Sequence, residues 1–169
     1  MSAPPQAATV HIALGGNCGD RLACLRAALA RLRAHVLVTA VSPVYETDPV
    51  GFAEQGAFLN AVVGGTTALE PCALLGVLHA IERDLGRERP FPNAPRTVDL
   101  DLLLYADRRI ATAELTVPHP RLQERGFVLM PLADIAPALR HPRLGRTVRE
   151  LLADRGPTDG VRATGLALE

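Results

Sequence analysis

Lysine and tryptophan are both absent from this chain of 169 residues. Aromatic residues make up only 4% of it, cysteine occurs three times, and 18 acidic side chains balance 18 basic ones. Charge balance argues against a dominant electrostatic footprint for nucleic acid or a membrane surface. Cys18, Cys24 and Cys72 form no C-x-x-C pair and are odd in number. They read as reduced thiols of a cytoplasmic protein rather than a disulfide framework, metal site or redox pair. No apolar run is long enough to span a bilayer, and residues 1–8 lack the basic-then-apolar order of an export signal. With apolar residues at 48% and so few aromatics, the core must be aliphatic, and the length suits one domain over 1–169. Weakly ordered tails are expected at 1–8 and 156–169. Every fixed cation is a planar guanidinium, suited to bidentate contact with phosphate.

What is present centres on Asp99-Leu100-Asp101, inside a short apolar run that reads as a strand over 97–105. Side chains at i and i+2 share a face, so the carboxylates lie on one side with their Cα atoms about 7 Å apart. Two like charges on one oily strand resist burial unless a cation joins them. Magnesium answers that need, because hard divalent ions take carboxylate oxygens and share them with substrate phosphates. Arg83, Arg87, Arg89 and Arg96 precede the pair and complete the composition of a metal–polyphosphate site. The bland alternative is an edge strand whose aspartates pair with those arginines.

Along the chain, a strand over 9–14 ends in Gly15-Gly16-Asn17-Cys18-Gly19-Asp20, and Asp20 is a good N-cap for a helix over 21–34. Strands are expected over 36–45 and 58–67, with a loop over 47–56 between them. A second helix runs from Pro71 to about 85, with Gly86 as its stop. A loop with three prolines over 87–95 leads into the aspartate strand. The order strand–helix–strand–strand–helix–strand is the split βαβ arrangement, with helices packed on one face of a sheet. A short helix near 121–125, an apolar run over 127–132 and a helix around 147–154 follow as a C-terminal extension.

Other motifs leave alternatives open. The Gly-Gly-Asn turn is either a phosphate cradle or a plain strand-to-helix turn, and it lacks both the G-x-G-x-x-G and the Walker pattern. His119, held between two prolines, is either structural or, with Arg121 and Arg125 nearby, a phosphate contact. Glu82 is either an exposed carboxylate or an acceptor facing a nucleotide or arginine. Phe58 and Phe127 are either core or the two faces of a sandwich around a flat heterocycle.

Four blocks, in order over about residues 9–137, resemble the 6-hydroxymethyl-7,8-dihydropterin pyrophosphokinase family of folate biosynthesis. They are Leu14-Gly15-Gly16-Asn17, then Glu46-Thr47-Asp48-Pro49-Val50-Gly51 through Gln55 to Phe58-Leu59-Asn60. The third runs from Glu82 through Gly86-Arg87-Glu88-Arg89 to Pro95-Arg96-Thr97-Val98-Asp99-Leu100-Asp101, and the fourth from Val117-Pro118-His119-Pro120 to Arg125-Gly126-Phe127. The resemblance implies an α+β, ferredoxin-like βαββαβ sandwich and diphosphate transfer from ATP to the hydroxymethyl group of a reduced pterin, releasing AMP. It implies that Asp99 and Asp101 bind two Mg2+ ions and that Arg87 and Arg96, on a mobile loop, assist transfer. It further implies an ATP side of Glu82, Arg89, Thr116, His119 and Arg125, and a pterin side of Thr47, Val50, Phe58, Asn60 and Phe127. A cytoplasmic monomer, with association with neighbouring folate enzymes, completes the expectation. Two other classes compete: a non-catalytic nucleotide- or RNA-binding module of the same strand order, and an inactive relative that regulates a partner. The aspartates would repel a phosphate backbone, and the retained Arg87, Arg96, Asp99 and Asp101 speak against loss of activity.

Overall fold

The computed structural model describes residues 3–49, 55–86 and 97–169. Among them a six-stranded antiparallel sheet carries helices on both faces. The elements run β1 (Ala8–Gly16), α1 (Arg21–Leu32), β2 (Leu37–Val41), β3 (Tyr45–Thr47), β4 (Phe58–Thr67), α2 (Pro71–Asp84) and β5 (Asp99–Tyr105). A two-stranded ribbon of β6 (Ile110–Ala111) and β7 (Thr116–Val117) follows, then a 3-10 turn (Leu122–Glu124), α3 (Gly126–Ile135), α4 (Val148–Arg155) and β8 (Val161–Ala163). Strands lie in the order β5-β1-β4-β3-β8, and β2 pairs with the other half of β4. No helix among the described residues is long and apolar enough to cross a membrane.

Period-two patterning sorts the side chains. Val10, Ile12 and Leu14 of β1, Leu59, Ala61 and Val63 of β4, and Leu100 and Leu102 of β5 point to a first face. There they meet Leu25, Leu29 and Leu32 of α1 and Leu74, Leu78 and Ile81 of α2. Asp20 caps α1 by accepting the Ala23 N–H at 3.1 Å, as its position suggests. Pro71 opens α2, and Gly86, at φ 82°, follows its end.

The second face is covered from beyond the βαββαβ unit, which differs from the expectation of helices on one face. Val62, Leu103 and Leu104 pack against Leu122, Val128, Leu129, Leu132, Val148 and Leu151. The apolar run over 127–132 is thus the inner stripe of α3, despite Pro131 within it. A capping box starts α4: Glu150 N–H donates to Thr147 Oγ1 at 3.2 Å and Thr147 N–H to Glu150 Oε2 at 2.9 Å. Register slips once in β5, where His11 faces Leu104 but Ile12 faces Leu102, so Leu103 is a bulge.

Two boundaries differ from the sequence reading. The strand expected over 36–45 is two strands, because Pro43 cannot donate to a ladder and Ser42 takes over the pairing. Ser42 N–H donates to Val62 O, and Ser42 Oγ accepts from Val62 N–H, both at 2.9 Å. The tail expected to be weakly structured contains β8, which pairs with β3, and Leu168 is buried. Its anchors are tertiary: Val44 N–H donates to Leu166 O and Arg26 to Ala167 O.

Candidate active site

A cleft of about 830 Å3 opens on the second face, past the end of the layer that α3 and α4 cover. Its floor follows from the strand registers. Asp99 lies opposite Gly15, Gly15 opposite Asn60, and Asn60 opposite Tyr45. In the next row Asp101 lies opposite Ala13 and Ala13 opposite Val62. Carboxylates therefore stand on one side, small residues in the middle, and an amide on the other, two strand spacings or about 10 Å away. Phe58, opposite Thr47, extends the far side.

The small middle is a steric requirement. A Cβ on Gly15 would come within 2.8 Å of Asn60 Oδ1. Asn60 is buried and donates from Nδ2 to Thr47 Oγ1 at 2.8 Å, which fixes its amide across the two strands. Satisfied on one side by Thr47, the amide is held for hydrogen bonding in an otherwise apolar corner beside Phe58.

Behind the carboxylates, on the helical face, buried Glu82 of α2 accepts the Leu100 N–H at 2.8 Å. That bond holds the strand segment between the two aspartates against α2. In front, Arg125 places Nη1 3.9 Å from Asp101 Oδ2 and its guanidinium carbon 5.6 Å from the Phe127 ring centre. One cation thus spans the distance between the anionic side and the aromatic side.

His119 follows the cis Val117–Pro118 bond, and its N–H donates to Leu103 O at 2.9 Å. Its Nδ1 accepts the Arg121 N–H at 3.2 Å. Burial, and next the Arg125 charge, pull the imidazole down to about 4, with Asp99 opposing and Arg121 adding to the fall. At neutral pH the ring is uncharged, and with Nδ1 accepting, Nε2 carries the proton and can only donate.

Of the residues the sequence singled out, the cleft brings together Thr47, Phe58, Asn60, Asp99, Asp101, His119, Arg125 and Phe127. Glu82 lies behind β5 and Thr116 in the β6–β7 ribbon, neither of them lining the cleft. Val50, Arg87, Arg89 and Arg96 lie outside the described residues. Gly15 and Gly16, expected in a turn, are the last residues of β1, and Asn17 follows them. Asn17 Nδ2 donates to Gln55 Oε1 at 2.6 Å and to Gly56 O at 3.0 Å, and only Gly15 of that motif lines the cleft.

Sequence reasoning named Arg121 as a neighbour of His119 but missed Glu124, Arg155, Asp159 and Gly160, which also line the cleft. It also missed the role of Gly15, for which a glycine inside a strand was the available signal. For residues 155–161 no local signal existed, since their place depends on packing against α3 and β3.

The family described as 7,8-dihydro-6-hydroxymethylpterin-pyrophosphokinase (HPPK) matches residues 11–137. A 2-amino-4-hydroxy-6-hydroxymethyldihydropteridine pyrophosphokinase of Bacillus subtilis (strain 168) is 53% identical over 127 residues, 74% of this chain and 76% of its own. The enzyme of that name from Pseudomonas aeruginosa is 47% identical over 147 residues, 85% of this chain and 90% of its own. In fold, the chain is similar to the Plasmodium falciparum HPPK-DHPS crystallised with pteroate, with a TM-score of 0.74 at 17% identity. That likeness covers 91% of this chain but only 43% of the other.

Proposed function

Because the chain belongs to the 7,8-dihydro-6-hydroxymethylpterin-pyrophosphokinase family, we propose that the row Asp99–Gly15–Asn60 aligns the two substrates of that reaction. The enzyme transfers diphosphate from ATP to the hydroxymethyl group of 6-hydroxymethyl-7,8-dihydropterin, in folate biosynthesis. The hydroxyl oxygen attacks the β-phosphorus, the bond from that phosphorus to the α,β-bridging oxygen breaks, AMP leaves, and the hydroxyl proton is released. Little covalent work falls to the protein; positioning and charge do the rest.

In this reading ATP lies along the anionic side of the floor and the pterin along the amide side. Asn60 and Thr47 read the polar edge of the heterocycle, and Phe58 and Phe127 take its faces. Neutral His119 donates from Nε2 to a phosphate oxygen, and Arg125 spans both ligands. Glu82 acts from behind by fixing Leu100, and thereby the carboxylates on either side of it. Arg87, Arg89, Arg96, Thr116 and Val50 retain the roles that the resemblance implies.

The donor set fits magnesium. Asp99 and Asp101 bring two hard carboxylates to the cleft from one face of β5, and no group of three acidic, histidine or cysteine side chains able to hold a metal occurs among the described residues. Magnesium suits such a set, because it keeps water and draws its other oxygens from phosphates. Two ions held by Asp99 and Asp101 would offset the polyphosphate charge during transfer. The antiparallel order β5-β1-β4, with the next position shared by β2 and β3, supports a ferredoxin-like plan. We read the protein as a cytoplasmic monomer of one domain, able to associate with neighbouring folate enzymes.

The observation that carries the proposal is the register that sets Asp99 and Asn60 on one floor with only Gly15 between them. Mixing protein, ATP, magnesium and the reduced pterin should release AMP, and omission of either magnesium or pterin should stop it. Release of ADP instead would mean transfer of the γ-phosphate and would overturn the reading.

A further inference from the structure

The wall on the pterin side is closed by a segment that no sequence motif marks. Arg155, at the end of α4, donates from Nε to Glu124 O at 2.8 Å and from Nη1 to Pro157 O. It thereby ties the turn before α3 to the chain that leaves α4. Thr158 then lies over the first residue of α3. A Cβ on Gly126 would meet Thr158 Cγ2 at 2.9 Å and Thr158 Cβ at 3.2 Å, so the methyl rests on bare backbone. Phe127, the next residue, takes its place in the cleft from that first turn.

The same segment grips the opposite side within a few residues. Asp48 N–H donates to Gly160 O at 3.1 Å, and the Asp48 carboxylate lies over Gly160, whose φ of 78° requires glycine. Arg162 donates to Asp48 Oδ1 at 3.0 Å and to Glu46 Oε1 at 3.2 Å. Val161 pairs with Thr47, the residue that holds Asn60. At its other end α3 is already tied to β3, where Tyr45 OH donates to Asp134 Oδ2 at 2.5 Å. Phe127 lies at the opposite end of α3 from that bond, and the segment links that first turn to β3.

We infer that residues 155–162 form a strap that fixes the distance between Phe127 and the Thr47–Asn60 pair, and so sets the grip on the heterocycle but not on ATP. Arg155 and Thr158 are positioning residues: they act through Phe127 and Thr47. The inference rests on the assignment of that side of the cleft to the pterin.

A double-mutant cycle across the Gly126–Thr158 contact tests it. The full-length protein is titrated calorimetrically with the reduced pterin, and separately with a non-hydrolysable ATP analogue and magnesium. Gly126→Ala drives a methyl into Thr158 and should weaken pterin binding about tenfold while ATP-analogue binding stays within twofold. Thr158→Ser removes the opposing methyl, so Gly126→Ala combined with Thr158→Ser should return to within threefold of wild type. Arg155→Ala, which cuts both carbonyl contacts, should weaken pterin binding about fivefold, with Arg155→Lys in between. Equal losses for both ligands would make the strap a support of the fold and overturn the inference, as would failure of the double variant to recover. Wild-type protein that binds the ATP analogue but no pterin would instead overturn the assignment of the cleft.

Discussion

The two sides of the cleft are built in opposite ways. The anionic side is local: Asp99 and Asp101 stand two residues apart on one strand, and one bond from Glu82 to Leu100 backs them. The heterocycle side is assembled from β3, β4, α3 and the strap, with Thr47 and Asn60 buried and bonded to each other. Charge can be placed by a single strand, because a metal ion tolerates the flexible reach of a carboxylate. A flat ring with a polar edge needs walls at fixed spacing, and those come only from packing.

The largest effect should separate the two sides outright. Asp99→Asn or Asp101→Asn keeps the side-chain shape but loses the charge that draws magnesium, so turnover should fall about a thousandfold. Pterin binding without nucleotide should stay within twofold by calorimetry, and a loss as large as that in turnover would erase the distinction.

Next comes β1, the strand that lies between the two sides. Burial pulls His11, on the same face of β1 as Ala13 and Gly15, down to about 4. Its folded pKa lies below the unfolded one near 6.5, so the neutral ring stabilises the fold above pH 6.5 and stability is lost as pH falls toward 4. Between pH 7 and pH 5 the His11 share of the loss should be about 2 kcal/mol, beside a similar share from His119, read from urea unfolding of wild type against His11→Leu. His11→Leu should flatten that slope. A pH slope unchanged in the variant would mean that another group controls acid stability.

Asn60→Ala should weaken the pterin about tenfold, or about 1.4 kcal/mol, and leave ATP-analogue binding unchanged. Matching losses would place Asn60 with the fold rather than with the ring.

The smallest effect sharpens the comparison most, because Gly15 lies between the two sides. A methyl there meets Asn60 Oδ1 at 2.8 Å, and the next nearest atoms are Leu59 O and Asn60 Cγ, so the nearest contacts lie on the amide side. Gly15→Ala should therefore cost about threefold to fivefold in pterin affinity with magnesium-dependent ATP binding intact. Loss of ATP binding instead would show that the two sides are coupled through the floor.

The same contrast explains what the sequence made legible. The aspartate pair, the Asp20 cap, the Pro71 start of α2 and the whole of β4 follow from spacing and capping, which are local. Eight of the fourteen expected site residues line one cleft, because motif blocks sit at strand ends that the registers align. The break at Ser42–Pro43 depended on a side chain substituting for a ladder bond. The second layer of helices, Glu82 behind β5 and the strap all depend on contacts between residues far apart in sequence: 18 positions separate Glu82 from Leu100, and 114 separate Asp48 from Arg162.

Leu103, the bulged residue of β5, sets the phase of the strand. Tyr105 pairs with Val10 and packs with the first helical layer, and strict alternation back from it would send Asp101 and Asp99 into that same aliphatic layer. The extra residue reverses the parity, and the two carboxylates emerge on the cleft side instead. A gene that lost one leucine codon from positions 102–104 would keep the composition and length of a viable strand. It would also turn both anions inward, where burial without partners forbids them. Exchange of Leu103 for isoleucine or methionine preserves the parity, so this stretch tolerates substitution far better than deletion.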